Sequence, residues 1–82
     1  MAAIELTLMS RGYCHLCHDM EVALEQLASE FGCTVKVLDV DADPVLEAKY
    51  DELVPVLLHG DVELCHYFLD TPKVREYLAG IR

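Results

Sequence analysis

Positive charge is scarce in this sequence. Lysine and arginine number six against fifteen aspartate and glutamate, a formal charge of −9 over 82 residues. A protein that grips phosphate backbones needs a basic footprint, so nucleic acid and anionic membrane are expected to be poor partners. Long apolar runs are missing as well. The longest is Leu53–Leu58, six residues with Pro55 among them, against roughly twenty for a helix that spans a bilayer. The opening Met1-Ala2-Ala3-Ile4-Glu5 has neither the basic start nor the apolar stretch of a secretory signal, and the expected compartment is cytoplasmic. Repeats, low-complexity tracts and linkers are absent too. What is there is 54% apolar and 26% charged, which is too apolar for a disordered tail. The expectation is one domain over residues 1–82, a monomer with a small, efficient core.

The chain reads as alternating strands and helices. Ile4 to Met9 alternates apolar and polar, the pattern of a strand, and Ser10 to Tyr13 is a loop carrying Gly12. From Cys17 onward, Met20, Leu24, Leu27, Ala28 and Phe31 recur at helical spacing, while Asp19, Glu21, Glu25 and Glu30 fall mostly toward water. The spacing predicts a helix from near Cys14 to Phe31, stopped by Gly32 as a left-handed cap. Thr34 to Val40 is β-branched and predicts a second strand, parallel to the first through a right-handed crossover. Asp43-Pro44 is a helix start, and Leu46, Tyr50 and Leu53 give that helix its apolar side. It must end before Val54, which precedes a proline. Pro55 to His59 and Val62 to Phe68 form a hairpin about Gly60-Asp61. Thr71-Pro72 opens the last helix, with Val74, Tyr77, Leu78 and Ile81 facing inward. The order β-α-β-α-β-β-α is an α/β architecture, a four-stranded mixed sheet with helices on both faces.

The four cysteines are Cys14, Cys17, Cys33 and Cys65. In a reducing compartment a cysteine pair reads as catalytic or metal-binding before it reads as a structural disulfide. Cys14-His15-Leu16-Cys17 lies where the first strand ends and the first helix begins. A helix N-terminus offers unpaired N–H groups and the positive end of the helix dipole, which favour an anion such as a thiolate. Cys14 is therefore the expected nucleophile. Cys17 lies one turn on, within reach as a resolving thiol. Other readings exist. The pair could be inert core. Cys14, Cys17 and His18 could be half of a zinc site, but the only second half is Cys65-His66, neighbours that point to opposite faces of a strand. Cys14 to His18 also matches the haem-attachment pattern C-x-x-C-H, without the export signal or the helical wrap that covalent haem needs. No metal is expected. Asp39, Asp41 and Asp43 lack the rest of a calcium loop and are expected to solvate a turn and cap a helix. Cys33 is expected to be a small buried residue, and Cys65 a core cysteine on the same strand face as Glu63 and Tyr67.

On these residues the chain resembles the glutaredoxin-like branch of the thioredoxin-fold family. The segment Ser10-Arg11-Gly12-Tyr13-Cys14-His15-Leu16-Cys17 looks like that family's active-site segment, and Val54-Pro55 stands at the expected place before the third strand. The resemblance implies a thioredoxin-like fold and a dithiol thiol–disulfide oxidoreductase. It implies a cis Pro55 facing the cysteines, and a Val54 backbone free to pair with an extended substrate. It makes Arg11 a partner for the thiolate or for a glutathione carboxylate, and Tyr13 a residue that shapes the entrance. Substrates would be disulfide-bearing proteins or glutathione mixed disulfides. Glutathione would serve as a possible co-substrate or a reductase as electron donor, and no cofactor would be tightly bound. The family's usual Pro-Tyr between the cysteines is His15-Leu16 here, so its redox poise does not transfer. Its Gly-Gly…Asp-Asp signature is replaced by Tyr67 to Pro72, where Asp70 would oppose an incoming carboxylate. The alternative function is a non-enzymatic binding module of the same fold, or an iron–sulfur cluster carrier.

Overall fold

A computed structural model describes residues 4–12, 14–50 and 53–81. Its elements are β1 (Glu5–Ser10), α1 (His15–Phe31), β2 (Thr34–Asp39), a 3-10 turn (Val40–Ala42), α2 (Pro44–Tyr50), β3 (Val56–His59), β4 (Val62–His66) and α3 (Thr71–Ile81). The sheet order is β2-β1-β3-β4. β1 and β2 run parallel, with Leu6 opposite Val35 and Leu8 opposite Val37. β1 pairs antiparallel with β3, and β3 with β4. This is the four-stranded mixed α/β sheet that the element order predicts.

Alternation along β1 divides the interior in two. Leu6 and Leu8 point to one face, where they meet Met20, Leu24 and Leu27 of α1 and Val74 and Leu78 of α3. Met9 points to the other, with Val40, Tyr50 of α2, Val56 and Leu58. Two helices thus cover one face and the third covers the other, and each buries its apolar stripe because strand side chains alternate. The first turn of α1 reaches the second cluster through Cys17. β2 is an edge strand, and its outer positions, Lys36 and Val37 among them, are exposed.

Several boundaries differ from the sequence pattern, each for a visible reason. Ser10 belongs to β1, paired with Asp39, and is buried rather than in a loop. β2 stops at Asp39, whose carboxylate accepts the Asp41 N–H at 2.9 Å and turns the chain into the 3-10 segment. The Asp43 carboxylate accepts the Val45 N–H at 2.9 Å and caps α2. α2 ends at Tyr50, and Leu53 lies in the turn that follows, its N–H on the Tyr50 carbonyl. β3 starts at Val56, after a Val54–Pro55 bond that is cis. β4 ends at His66 because Tyr67 takes a φ of 65°. A register irregularity sets Leu58 opposite Glu63 and Leu57 opposite Cys65. Leu64 and Cys65 consequently both enter the α1–α3 core, and Cys65 does not share the exposed face of Glu63 as strict alternation predicts.

Candidate functional site

β1 delivers the chain to the sheet's end at Ser10, and α1 starts five residues later at His15. Cys14 occupies the N-cap, with extended φ and ψ of −102° and 112°. In place of the serine or aspartate oxygen that usually caps a helix, a sulfur does it: the Cys17 N–H donates to Cys14 Sγ at 3.1 Å. The Cys14 N–H donates to the Arg11 carbonyl, and the Cys14 carbonyl accepts the His18 N–H, both at 3.2 Å. Cys14 is thereby held at three points with its side chain half-buried. Gly12, His15 and His18 share with it an open depression of about 440 Å³. The depression gives a reagent access, and one backbone N–H is directed at the sulfur.

Cys17 is in the opposite situation. It is only 1% exposed, and its thiol is pushed up to about 11, first by burial and then by its hydrogen bond to Cys14. A backbone hydrogen bond from Arg11 and one from the Ser10 side chain pull the other way. Both thiols are free. The pair is thus asymmetric: an accessible sulfur facing an amide, and a sealed thiol that keeps its proton beneath it.

Val54 packs in the same apolar cluster as Cys17, with Cys14 against its edge. It lies ahead of the paired part of β3, whose register with β1 begins at Val56. The structure therefore brings Cys14, Cys17 and the Val54-Pro55 segment together. Pro55 itself is fully buried, and its carbonyl accepts the Tyr67 N–H at 2.8 Å. The Arg11 side chain goes elsewhere: its Nε donates to Asp41 at 3.0 Å, across to the 3-10 turn. What Arg11 gives the motif comes from its backbone. Tyr13 lies outside the described residues. His15 and His18 are exposed.

Two features were not singled out from the pattern. Ser10 supplies the side-chain hydrogen bond to Cys17 from a position 8% exposed. Its one trace in the sequence is a small polar residue closing an apolar strand four positions before the first cysteine. The segment Tyr67–Leu69 lines a groove that starts at Leu16, inside the motif. Among the other thiols, Cys65 is buried and pushed up by that burial, and Cys33 is half-buried after the Gly32 cap. Among the described residues no cluster of three or more histidine, cysteine or acidic side chains is placed to hold a metal ion. Nor is any helix among them long and apolar enough to cross a membrane.

Comparison with known proteins places this geometry. Residues 5–79 match the family model described as "Glutaredoxin-like domain (DUF836)". Protein Ne2328 of Nitrosomonas europaea, solved by NMR, is 34% identical, with 94% of this chain and 93% of that one covered and a TM-score of 0.81. Protein XcR50 of X. campestris, an X-ray structure, is 37% identical over 92% of this chain and 96% of that one, with a TM-score of 0.68. A thioredoxin of Fasciola hepatica, 21% identical over 98% of this chain and 82% of that one, has a TM-score of 0.66; at that identity the likeness concerns the fold alone. The match runs from the first residue of β1 into the last turn of α3 and takes in the cysteine pair, the cis proline and all four strands, so the chain belongs to the glutaredoxin-like domain family, with a thioredoxin-type fold.

Proposed function

We propose that this protein is a dithiol thiol–disulfide oxidoreductase. The observation that carries the reading is the N-capping sulfur: Cys14 Sγ, half-buried, accepts the Cys17 N–H at 3.1 Å. An N–H donor and a helix N-terminus favour the thiolate, and the thiolate is the form that attacks a disulfide.

The chemistry follows from the asymmetry of the pair. Cys14 thiolate attacks one sulfur of a substrate disulfide. The substrate S–S bond breaks, a mixed disulfide forms at Cys14, and the departing thiolate takes a proton from water. Cys17 then gives up its proton and attacks the Cys14 sulfur. The mixed disulfide breaks, the second substrate thiol leaves, and Cys14–Cys17 becomes a disulfide. The substrate has gained two electrons and the pair has lost two. A reductant of thiol class, glutathione or a reductase protein, restores the dithiol. Both electrons are carried by sulfur, so no tightly bound cofactor is required. Val54 lies ahead of the β3 ladder, and in this reading its backbone would pair with an extended substrate segment.

The test is thiol alkylation together with single substitutions. At pH 7 iodoacetamide should modify Cys14 far faster than Cys17. Cys14→Ser should abolish disulfide reduction. Cys17→Ser should keep the first step and stall at the mixed disulfide, visible by mass spectrometry. An active Cys14→Ser variant, or a Cys14 no more reactive than Cys33, would end this reading.

A further inference from the structure

Beside the motif lies a groove that the two-sulfur chemistry does not use. Leu16, Met20 and Ala23 of α1 form one wall, and Tyr67, Phe68 and Leu69 form the other. Leu16 sits between the two cysteines, so the groove opens at the reacting sulfur's own turn. Phe68 is 69% exposed and Tyr67 38%, large apolar surfaces that a small domain does not leave to water without a cost of roughly 25 cal/mol per Å². Tyr67 holds a φ of 65°, a conformation costly for a residue with a Cβ and one that concentrates at functional positions. The cavity holds about 230 Å³. Small-molecule pockets run from roughly 300 to 1,000 Å³, so this one has the size for a side chain.

The surrounding charge narrows the occupant. Asp19 is the charged residue among the described lining residues. Asp70 follows on Leu69, and its carboxylate already accepts the Lys73 N–H at 3.2 Å at the start of α3. The Lys73 side chain lines a neighbouring depression together with Glu63, His66 and Asp70, so the balance there stays acidic. The chain as a whole carries −9. Glutathione brings two carboxylates and no large apolar side chain, and it fits neither the wall nor the field.

Resting on the dithiol reading above, we infer that the substrate is a polypeptide disulfide whose reacting cysteine is flanked by a bulky apolar residue and by a lysine or arginine. The apolar side chain enters the groove between Leu16 and Phe68, and the cation lies against Asp19. The electrons are those of the Cys14–Cys17 pair, and one dithiol turns over one disulfide.

The experiment is single-turnover reduction by the fully reduced chain, acid-quenched and read by mass spectrometry. The probes are the disulfide of a capped tripeptide of lysine, cysteine and leucine, its versions with serine for leucine and with glutamate for lysine, glutathione disulfide, and the small neutral hydroxyethyl disulfide. The lysine–leucine peptide should react about tenfold or more faster than the serine version and than glutathione disulfide, the factor expected from burying one leucine side chain. Phe68→Ser should bring the leucine peptide down to the serine peptide's rate, and Asp19→Asn should close the gap between the lysine and glutamate peptides. Equal rates for all peptides, or glutathione disulfide matching the lysine–leucine peptide, would overturn the assignment while leaving the dithiol chemistry intact. If even hydroxyethyl disulfide is not reduced, the dithiol reading fails and this assignment falls with it.

Discussion

In the proposed reaction Cys17 loses a proton from a place where burial holds it, and its neighbours decide how readily. The Ser10 hydroxyl is one of two groups that favour its thiolate. Ser10→Ala removes that hydrogen bond, so the Cys17 thiol should be pushed up further and resolution should slow by about two- to tenfold, the worth of one hydrogen bond of roughly 0.5–1.5 kcal/mol. The mixed disulfide at Cys14 should accumulate in quenched samples, while the rate at which it forms is unaffected. Ser10→Thr, which restores the hydroxyl, should restore the resolution rate; a slow threonine variant would assign the effect to packing. The pH dependence has a definite sign. A thiol is inert and its thiolate attacks, and the Cys17 thiol is pushed up to about 11. The mixed disulfide removes the Cys14 thiol's share of that shift and keeps the burial, its largest cause, so the resolution rate should still climb between about pH 7 and about pH 9. A plateau below about pH 9, measured on the isolated mixed disulfide, would show that Cys17 is not the group so held. At this scale the sequence disclosed what identity and spacing alone determine. The place of Cys14 and Cys17 at the start of a helix was legible because a glycine-bearing loop precedes them and a helical period follows. Ser10 was not, since its importance comes from being buried beside a sulfur. The bond from Arg11 Nε to Asp41, thirty positions away, was not legible, because no local pattern contains such a pairing.

Helix α1 is the element on which the site depends, and its two ends are fixed by different means. At the start, the N-capping sulfur ties the helix to the chemistry, so any change that frays the first turn also removes the amide from Cys14. At the other end Gly32 adopts a φ of 69°, and its N–H donates to the Ala28 carbonyl. A Cβ placed on Gly32 meets no atom within 4 Å, so Gly32→Ala costs only the backbone conformation, about 1–2 kcal/mol. The unfolding free energy should fall by that amount, seen as a lower urea midpoint with an unchanged slope, and Cys14 alkylation should keep its rate, because the far end of the helix holds the thiol. A changed slope would mean that the unfolded or native ensemble had altered. The existence and type of each element were readable because the hydrophobic period differs between strand and helix: Leu24 and Leu27 repeat as a helix does, Leu6 and Leu8 as a strand does. The ends were less so. β4 was expected to run through Phe68, but alternation cannot foresee Tyr67 at positive φ or the irregularity at Leu57–Leu58 that turns both Leu64 and Cys65 inward. Those two departures set the course of the chain into Tyr67–Leu69, so the least legible part of the fold is also the part that shares a groove with Leu16 of the motif.

At the scale of the whole molecule, the dithiol reading makes charge the first property that an approaching disulfide would meet. The chain's Cα extents are 33 × 23 × 16 Å, so no surface is far from Cys14 on the scale of an unscreened field. Among the described residues Arg11 is bound to Asp41 and Arg75 to Glu30, pairs that each remove one charge of either sign and leave the excess of carboxylates unchanged. The Debye length is about 30 Å at 0.01 M salt and about 3 Å at 1 M. At the lower concentration an approaching disulfide feels nearly the whole −9 of the chain; at the higher it feels only the groups it touches. Electrostatic steering of this kind changes association rates by about 10- to 1,000-fold in favourable cases. The reduction of a cationic peptide disulfide should accordingly slow by about tenfold between those two salt concentrations. Glutathione disulfide, a net anion, should speed up, and neutral hydroxyethyl disulfide should hold its rate and so control for any effect of salt on the thiols themselves. Second-order rate constants over the series give the slopes directly. Parallel slopes for all three would mean that the acidic surface does not reach the site, and selectivity would then have to come from contacts in the groove alone. Opposite slopes for the cation and the anion would mean that the surface carboxylates sort disulfides before any contact is made.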